Sequence, residues 1–119
     1  MTDLRRMRMF PLSSVLFPRG VLPLHIFEPR YLTMINEAID DDGTFGVVLI
    51  ERGWEVGGGD SRFQVGTAAR IVSAGIIENE RMAIVTVGVE RVDIVEWLED
   101  DPYPVAMVAT RADPPAAMD

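Results

Sequence analysis

His25 is the one histidine of the chain, and any serine–histidine–aspartate hydrolase site would have to use it as general base. It lies between Leu24 and Ile26 in an apolar run, which is a pattern typical of a β-strand. A histidine in such a run more often packs in a core or at its rim than it transfers protons. We therefore predict no catalysis by His25, and no other pattern in the sequence indicates a catalytic residue.

Acidic residues are the second group that could do chemistry. The chain has 19 aspartate and glutamate residues but no cysteine, so a metal site would need carboxylates and His25. The run Asp40–Gly43 does not fit a calcium loop, because an EF-hand alternates its ligands and closes with a glutamate. A pair of carboxylates for glycoside hydrolysis is compatible with the spacing, but nothing favours it, since these acids lie in predicted turns. We expect neither a metal nor another cofactor.

The glycine-rich segment Arg52–Ser61 is a third candidate, because the backbone N–H groups of such loops can cradle phosphate. A Walker A loop also needs a lysine, whereas all 11 basic residues of this chain are arginines. No helical pattern opens after the glycines, so we predict a flexible hairpin loop instead. Trp54 lies in this loop, and an aromatic side chain at such a position is a candidate for contact with a protein partner.

The composition limits both the class of protein and the kind of partner. A chain of 119 residues with 48% hydrophobic residues suits one globular domain. The formal net charge of −8 argues against nucleic acid as a partner, because phosphate binding needs clustered positive charge. The sequence has neither a signal-peptide pattern nor an apolar run of transmembrane length, so we expect a cytoplasmic protein that does not bind a membrane.

A predicted strand passes directly into a predicted helix in the first third of the chain. Val21–Phe27 is apolar, and its prolines favour the edge of a sheet or the rim of a barrel over a central position. The helix is predicted over about Arg30–Asp40, because its apolar residues recur at helical spacing. Pro29 suits the first turn of this helix, and Gly43 suits a stop with positive φ.

Two charged residues flank the proline at this junction. Glu28 and Arg30 could bind a partner as a pair. In the simpler interpretation, the Glu28 carboxylate favours the positive end of the helix, and Arg30 fastens the helix to the sheet. The sequence favours this structural interpretation.

The rest of the chain has the patterns of β-strands. Predicted strands begin near Met7 and then cover Val21–Phe27, Thr44–Glu51, Val65–Ile77, Met82–Glu90, Arg91–Leu98 and Tyr103–Thr110. Val65–Ile77 is either one long strand or two strands with a bend at Ala74-Gly75. The fifth and sixth of these follow each other almost without a turn, so Gly88 or the pair Glu90-Arg91 must bend the chain. Glycine bends of this kind let a sheet curl and close on itself.

The segment Phe10–Tyr31, FPLSSVLFPRGVLPLHIFEPRY, resembles the opening of the Lon protease N-terminal domain family, which also has stand-alone bacterial members. The family pattern there is close to VLFPG, followed by LPLHIFE and RY. Later segments at Phe45–Leu49, Val65–Ile71 and Gly88–Val92 resemble further signatures of the family. The resemblance covers about Met9–Thr110, which is nearly the whole chain.

This resemblance implies a fold and a function. The implied fold is mostly β (α+β): a PUA-like, six-stranded pseudo-barrel with one main α-helix packed on it, over residues 1–111, followed by a disordered tail at 112–119. The implied function is that of a non-enzymatic recognition module, which binds unfolded or degron-bearing polypeptides and works with a protease or ATPase partner. Because the chain has no lysine, it cannot contain the serine–lysine pair of the Lon protease site.

Other functions stay open on the sequence alone. PUA-like domains include RNA-binding modules, although the net charge of −8 argues against RNA here. A scaffold or assembly domain of a larger proteolytic system is a further alternative, and a weak homo-oligomer is compatible with the sequence. The residues predicted to contact a partner are Glu28, Arg30, Tyr31 and Trp54.

Overall fold

The computed structural model describes residues 4–13, 16–50 and 62–111 of the chain. In chain order the elements are β1 Leu4–Leu12, β2 Val21–Ile26, α1 Pro29–Asp40, β3 Thr44–Ile50, β4 Arg62–Ile77, a 3-10 turn Glu78–Glu80, β5 Arg81–Trp97 and β6 Val105–Thr110. Strand β1 is already present at Leu4, whereas the sequence predicted a strand from about Met7. The predicted loop Arg52–Ser61 and the predicted tail 112–119 lie outside the described residues.

The six strands form one sheet in the order β2-β5-β4-β3-β1-β6, and an additional pairing of β5 with β6 closes this sheet into a ring. β1 and β3 are parallel, and the other neighbouring pairs are antiparallel. Among the described strands β2 pairs only with β5, which confirms the edge position that its prolines predicted. The predicted class, a mostly β fold with six strands and one main helix, is confirmed.

Two hydrophobic clusters lie on opposite faces of this sheet. The helix-side cluster fills the space between the sheet and α1, and its largest fully buried side chains include Ile26, Met34, Phe45 and Ile84. The ring cluster consists of the buried side chains of Met7, Met9, Val48, Ala68, Val92, Ile94, Ala106 and Val108. Neighbouring residues such as Val47 and Val48 belong to different clusters, because successive side chains of a strand point to opposite faces.

Strand β5 contributes to both clusters through a change of register. Its pairing with β4 shifts between Gly88 and Glu90, so Val89 is an extra residue and forms a β-bulge. Even-numbered residues before the bulge, such as Ile84, belong to the helix-side cluster, and even-numbered residues after it, such as Val92, belong to the ring cluster. The two strands that the sequence predicted here are therefore one strand, and the predicted bend is this bulge.

Helix α1 packs against the sheet with the face that carries the buried residues Tyr31, Met34, Ile35 and Ala38. Pro29 lies in its first turn, as predicted. After the helix, Gly43 has a φ of 75° and donates its N–H to the carbonyl oxygen of Ala38 at 2.7 Å, so it is the predicted stop. Among the described residues, no helix has the length and apolar character that crossing a bilayer requires.

The aspartates after the helix connect the helix end to two strands. The sequence had indicated no role for them. Asp41 Oδ2 accepts a hydrogen bond from Arg8 Nη2 at 3.1 Å, which joins the helix end to β1. Asp42 Oδ1 accepts hydrogen bonds from the backbone N–H of Thr44 at 3.0 Å and from its hydroxyl at 2.8 Å. Burial alone would raise the pKa of Asp42, but these hydrogen bonds and the charge of Arg8 hold that pKa below its usual value.

Candidate functional site

Arg30 links the start of α1 to two other carboxylates. Its Nε lies 3.4 Å from Oε1 of Glu28, and its Nη1 lies 3.9 Å from Oδ2 of Asp100 in the β5–β6 connection. Glu28 precedes the helix, but its carboxylate makes no capping hydrogen bond. The geometry agrees with the structural interpretation, in which Arg30 fastens the helix. Glu28 and Arg30 are also 49% and 44% exposed, so both are accessible to a partner.

Tyr31, unlike the two charged residues, is buried, with 6% of its surface exposed. Its ring centroid lies 4.5 Å from that of Phe10, and the guanidinium carbon of Arg30 lies 4.7 Å from the Tyr31 centroid. A cation above an aromatic face is attracted by the negative charge of that face. Tyr31 thus packs in the helix-side cluster and holds Arg30 in place. Trp54, the fourth predicted contact residue, lies outside the described residues.

A second candidate surface, which the sequence analysis did not single out, lies on the sheet face opposite α1. It is an open trough of about 580 Å³ that crosses β2, β5 and β4, and we call it the apolar trough. Its position follows from alternation in β5, where Ile84 is buried towards α1 and its neighbours lie on the other face. The side chains that alternation places on the trough face are Pro23, His25, Ser73, Ile77, Ala83 and Val85.

The strand register explains why this face is hollow. Ala83 pairs with His25 on one side and with Gly75 on the other, so the centre of the face carries very little side-chain volume. Ser73, two residues from Gly75 along β4, is also small. A Cβ added at Gly75 would meet no other atom within 4 Å. The apolar trough therefore has room for side chains of another molecule.

The sequence did contain a signal for this surface. Strand β5 is apolar on both faces before its bulge: Met82 and Ile84 belong to the helix-side cluster, and Ala83 and Val85 line the trough. A strand that is apolar on both faces is usually covered on both. Among the described elements, α1 covers only one of them. An uncovered apolar face of this kind often marks an interaction site.

Strand β2 borders the trough and presents an open backbone edge. The N–H of Gly88 donates to the carbonyl oxygen of Gly20 at 2.8 Å, which sets the direction of the hydrogen bonds that follow. Because this direction alternates along an antiparallel strand, the backbone groups of Val21, Pro23 and His25 point away from β5. Proline has no N–H, so the open edge offers N–H groups at Val21 and His25 and a carbonyl oxygen at all three residues.

His25 lies at the rim of the trough, which agrees with one of the two positions that the sequence predicted for it. Its side chain is exposed, and its ring is in edge-to-face contact with Phe27 at a centroid distance of 6.1 Å. Within the part of the chain that the structure describes, no group of three or more metal-ligating side chains occurs. The lining of the trough and the edge of β2 offer apolar packing and backbone hydrogen bonding.

One end of the trough is acidic. Ile77 lines the trough, and the exposed residues Glu78 and Glu80 follow it in the 3-10 turn between β4 and β5. Arg81 comes next and pairs with Ile77, so it lies on the trough face and offsets part of this charge. Two carboxylates against one guanidinium still leave the turn negative, as is the whole chain with its formal net charge of −8.

Comparison with known proteins identifies the family to which this chain is similar. Residues 6–118 match the family model of the ATP-dependent protease La (LON) substrate-binding domain. The chain is 35% identical over 97 residues to Lon protease 2 of Myxococcus xanthus and 33% identical over 92 residues to Lon protease of Anaeromyxobacter dehalogenans. These matches cover 81% and 76% of this chain, but only 12% and 11% of the two relatives.

Solved structures show the same fold. The crystal structure of a Lon N-terminal domain protein from Xanthomonas campestris superposes with a TM-score of 0.77 at 26% identity, covering 91% of this chain and 60% of that chain. The N-terminal domain of Mycobacterium avium complex Lon protease gives a TM-score of 0.63 over 94% of this chain and 56% of its own, and at 18% identity this likeness concerns the fold alone. With its family match over nearly its whole length, the chain belongs to the Lon substrate-binding domain family.

Proposed function

We propose that this chain is a non-enzymatic, cytoplasmic recognition module that binds unfolded or degron-bearing polypeptides on behalf of a protease or ATPase partner. The apolar trough carries the proposal, because it has a volume of about 580 Å³ for client side chains and no element within residues 4–13, 16–50 and 62–111 covers it. The substrate-binding description of the family supports the same function. Cooperation with a protease is part of the proposal, since the chain spans 12% of the Myxococcus xanthus relative.

The charge of the chain supports a polypeptide client over RNA. A net charge of −8 repels a phosphate backbone, and RNA binding would have to overcome this repulsion with clustered arginines. Apolar burial has no such requirement. Polypeptide binding should therefore change little when salt is added, whereas binding to phosphate weakens steeply with salt.

We also propose that the residues predicted from the sequence contribute at the helix start. Glu28 and Arg30 are exposed charged side chains that could contact polar groups of a bound partner. The role of Tyr31 in this proposal is to support Arg30, because its own ring is buried. Trp54 remains a predicted contact in the loop that lies outside the described residues.

Fluorescence titration tests the main proposal. The probes are a permanently unfolded, reduced and carboxymethylated protein and an unstructured RNA, each measured at low and at high salt. We expect weak binding of the unfolded protein at both salt concentrations and no binding of RNA. The affinity should be weak because one small face buries little area and must order a flexible client. The folded form of the same probe protein is the control and should not bind.

Two results would contradict this proposal. RNA binding that is strong at low salt and lost at high salt, without polypeptide binding, would favour the PUA-like RNA-binding alternative. Absence of binding to either probe would favour a scaffold or assembly domain, for which sedimentation of the free chain would then report any weak homo-oligomer.

A further inference from the structure

We propose that β2 accepts an extended apolar segment of a client polypeptide as an additional strand, with alternate side chains of that segment seated over the apolar trough. The inference rests on the proposed function and adds a binding mode to it. It combines two features that lie next to each other in the fold, namely the edge of β2 and the face of β2, β5 and β4, neither of which is covered by a described element.

The backbone of β2 can hold a strand but is a poor partner for another copy of itself. An incoming strand can pair with the N–H groups of Val21 and His25 and with the carbonyl oxygens of Val21, Pro23 and His25. A second β2 would bring its own proline, so a ladder of only six residues would lack a donor on each side. A proline on an edge strand weakens pairing with any other strand, and the effect is doubled when both strands carry one. A client without proline loses only one hydrogen bond.

The trough defines which side chains such a client should carry. Neighbouring strands lie about 4.8 Å apart, so every second side chain of the added strand stands beside Pro23 and His25. Large apolar side chains at these positions can lean over the rim towards Ala83, where the face is hollow. Small or charged side chains would leave this apolar surface exposed to water. The segment should therefore alternate large apolar residues with polar ones.

The charges at the ends of the trough determine which residues of the client should stand next to its apolar segment. Glu78 and Glu80 follow Ile77 at one end of the trough, where they outnumber Arg81, whereas Arg70, paired with Val87, lies at the other end. A lysine or arginine next to the apolar segment would be attracted to this end, whereas an acidic flank would be repelled. The occupant that fits best is thus an extended amphipathic segment with a basic flank.

The first test places a large side chain in the trough by mutation. The probe is a short fluorescent peptide in which leucine alternates with threonine and which ends in paired arginines. Ala83→Arg should weaken its binding by about tenfold or more, which corresponds to the loss of one seated apolar side chain. Val95→Arg is the control, because Val95 is an exposed residue of the same strand outside the trough, and it should leave binding unchanged. Equal affinities of the two variants would overturn the proposal.

The second test needs no variant of the protein and so does not depend on the folding of one. Peptides carry one methyl group on a backbone nitrogen, either at a leucine or at the neighbouring threonine. Because N–H groups of a strand point to alternate sides, methylation should abolish binding for one residue type and spare it for the other. Equal effects at both positions would exclude strand addition to β2.

The third test concerns the flank. The double variant Glu78→Gln/Glu80→Gln should weaken the peptide with paired arginines severalfold and leave a peptide with paired serines unaffected. If the double variant binds both peptides as tightly as the wild type does, or binds both more weakly to the same extent, the acidic turn does not have this role. Failure of the wild-type chain to bind unfolded protein would refute the proposed function itself, whereas unfolded-protein binding that survives Ala83→Arg would refute only this binding mode.

Discussion

The carbonyl oxygen of Phe17 lies against Gly88 so closely that a Cβ at position 88 would overlap it. Two hydrogen bonds fix this contact: the N–H of Arg19 donates to the Gly88 carbonyl oxygen at 2.8 Å, and the N–H of Gly88 donates to the Gly20 carbonyl oxygen at 2.8 Å. The loop before β2 is therefore locked onto β5 directly beside the bulge at Val89. A movement of the loop before β2 would therefore disturb the bulge at Val89, and a change in the bulge would disturb the loop.

Gly88→Ala should lower the free energy of unfolding by about 1–3 kcal/mol, because the added methyl group must displace backbone and not a flexible side chain. Denaturant unfolding of the purified chain measures this change. Gly75→Ala is the matched control in β4, where a Cβ meets nothing within 4 Å, and it should stay within about 0.5 kcal/mol of wild type. Equal midpoints for the two variants would mean that the Phe17 contact is not tight.

Pro29→Gly should destabilise the chain by about 0.4–1 kcal/mol, because proline restricts the unfolded chain at a position where its φ suits the first helical turn. Pro29→Ala should cost less, since alanine has less backbone freedom than glycine. The denaturant midpoints of both variants report the difference. A midpoint for Pro29→Gly identical to that of wild type would argue against a stabilising role of the proline at the helix start.

Asp42→Asn should make the free energy of unfolding depend less on pH in the acidic range. The pKa of Asp42 in the folded chain is lowered from its usual 3.8, so the ionised carboxylate favours folding. This contribution is complete above the unfolded-state pKa of about 3.9 and disappears as the pH falls through the lowered pKa. The variant should therefore be less stable than wild type at neutral pH and converge with it in acid. Asp40→Asn, at an exposed neighbour, is the control.

The loop Arg52–Ser61 should contain the first cleavage site within the domain when trypsin is limiting. Three consecutive glycines, Gly57–Gly59, make a single backbone conformation costly, and such loops are preferred sites of proteolysis. Arg52 offers trypsin a site in this loop, whereas Arg70 and Arg91 lie within paired strands and serve as internal controls. Mass spectrometry of the earliest fragments locates the cut. Earlier cleavage at either strand arginine would contradict the prediction.

Local chemistry made some elements predictable. Pro29 and Gly43 have conformations that few other residues provide, so both ends of α1 could be placed from the sequence. The prolines of β2 likewise indicated an edge strand, because proline cannot donate to a central ladder. In each case the residue type alone excludes most backbone conformations or sheet positions, whatever the distant parts of the chain do.

Other features depend on tertiary pairing and could not be read in this way. The sequence predicted a bend near Gly88 but not a bulge at Val89, because the bulge arises from how β5 meets β4 and lets one alternating sequence serve two clusters. The apolar trough is defined by small residues, such as Ala83 and Gly75, whose proximity requires the strand register. The burial of Tyr31, a candidate contact residue, likewise depends on how Phe10 and the helix pack.

The place of β1 in the sheet has a consequence for synthesis of the chain. β1 lies between β3 and β6, and Leu4 pairs with Ala109. Among the strands described here, synthesis produces β1 before the other five and β6 after them, so one edge of β1 has no partner until β6 has emerged. During this time the side chains that will fill the ring, Met7 and Met9 among them, have no complete enclosure. Until β6 is synthesised, β1 is therefore an apolar segment with one unpaired edge, which is the kind of segment that the folded domain is proposed to bind.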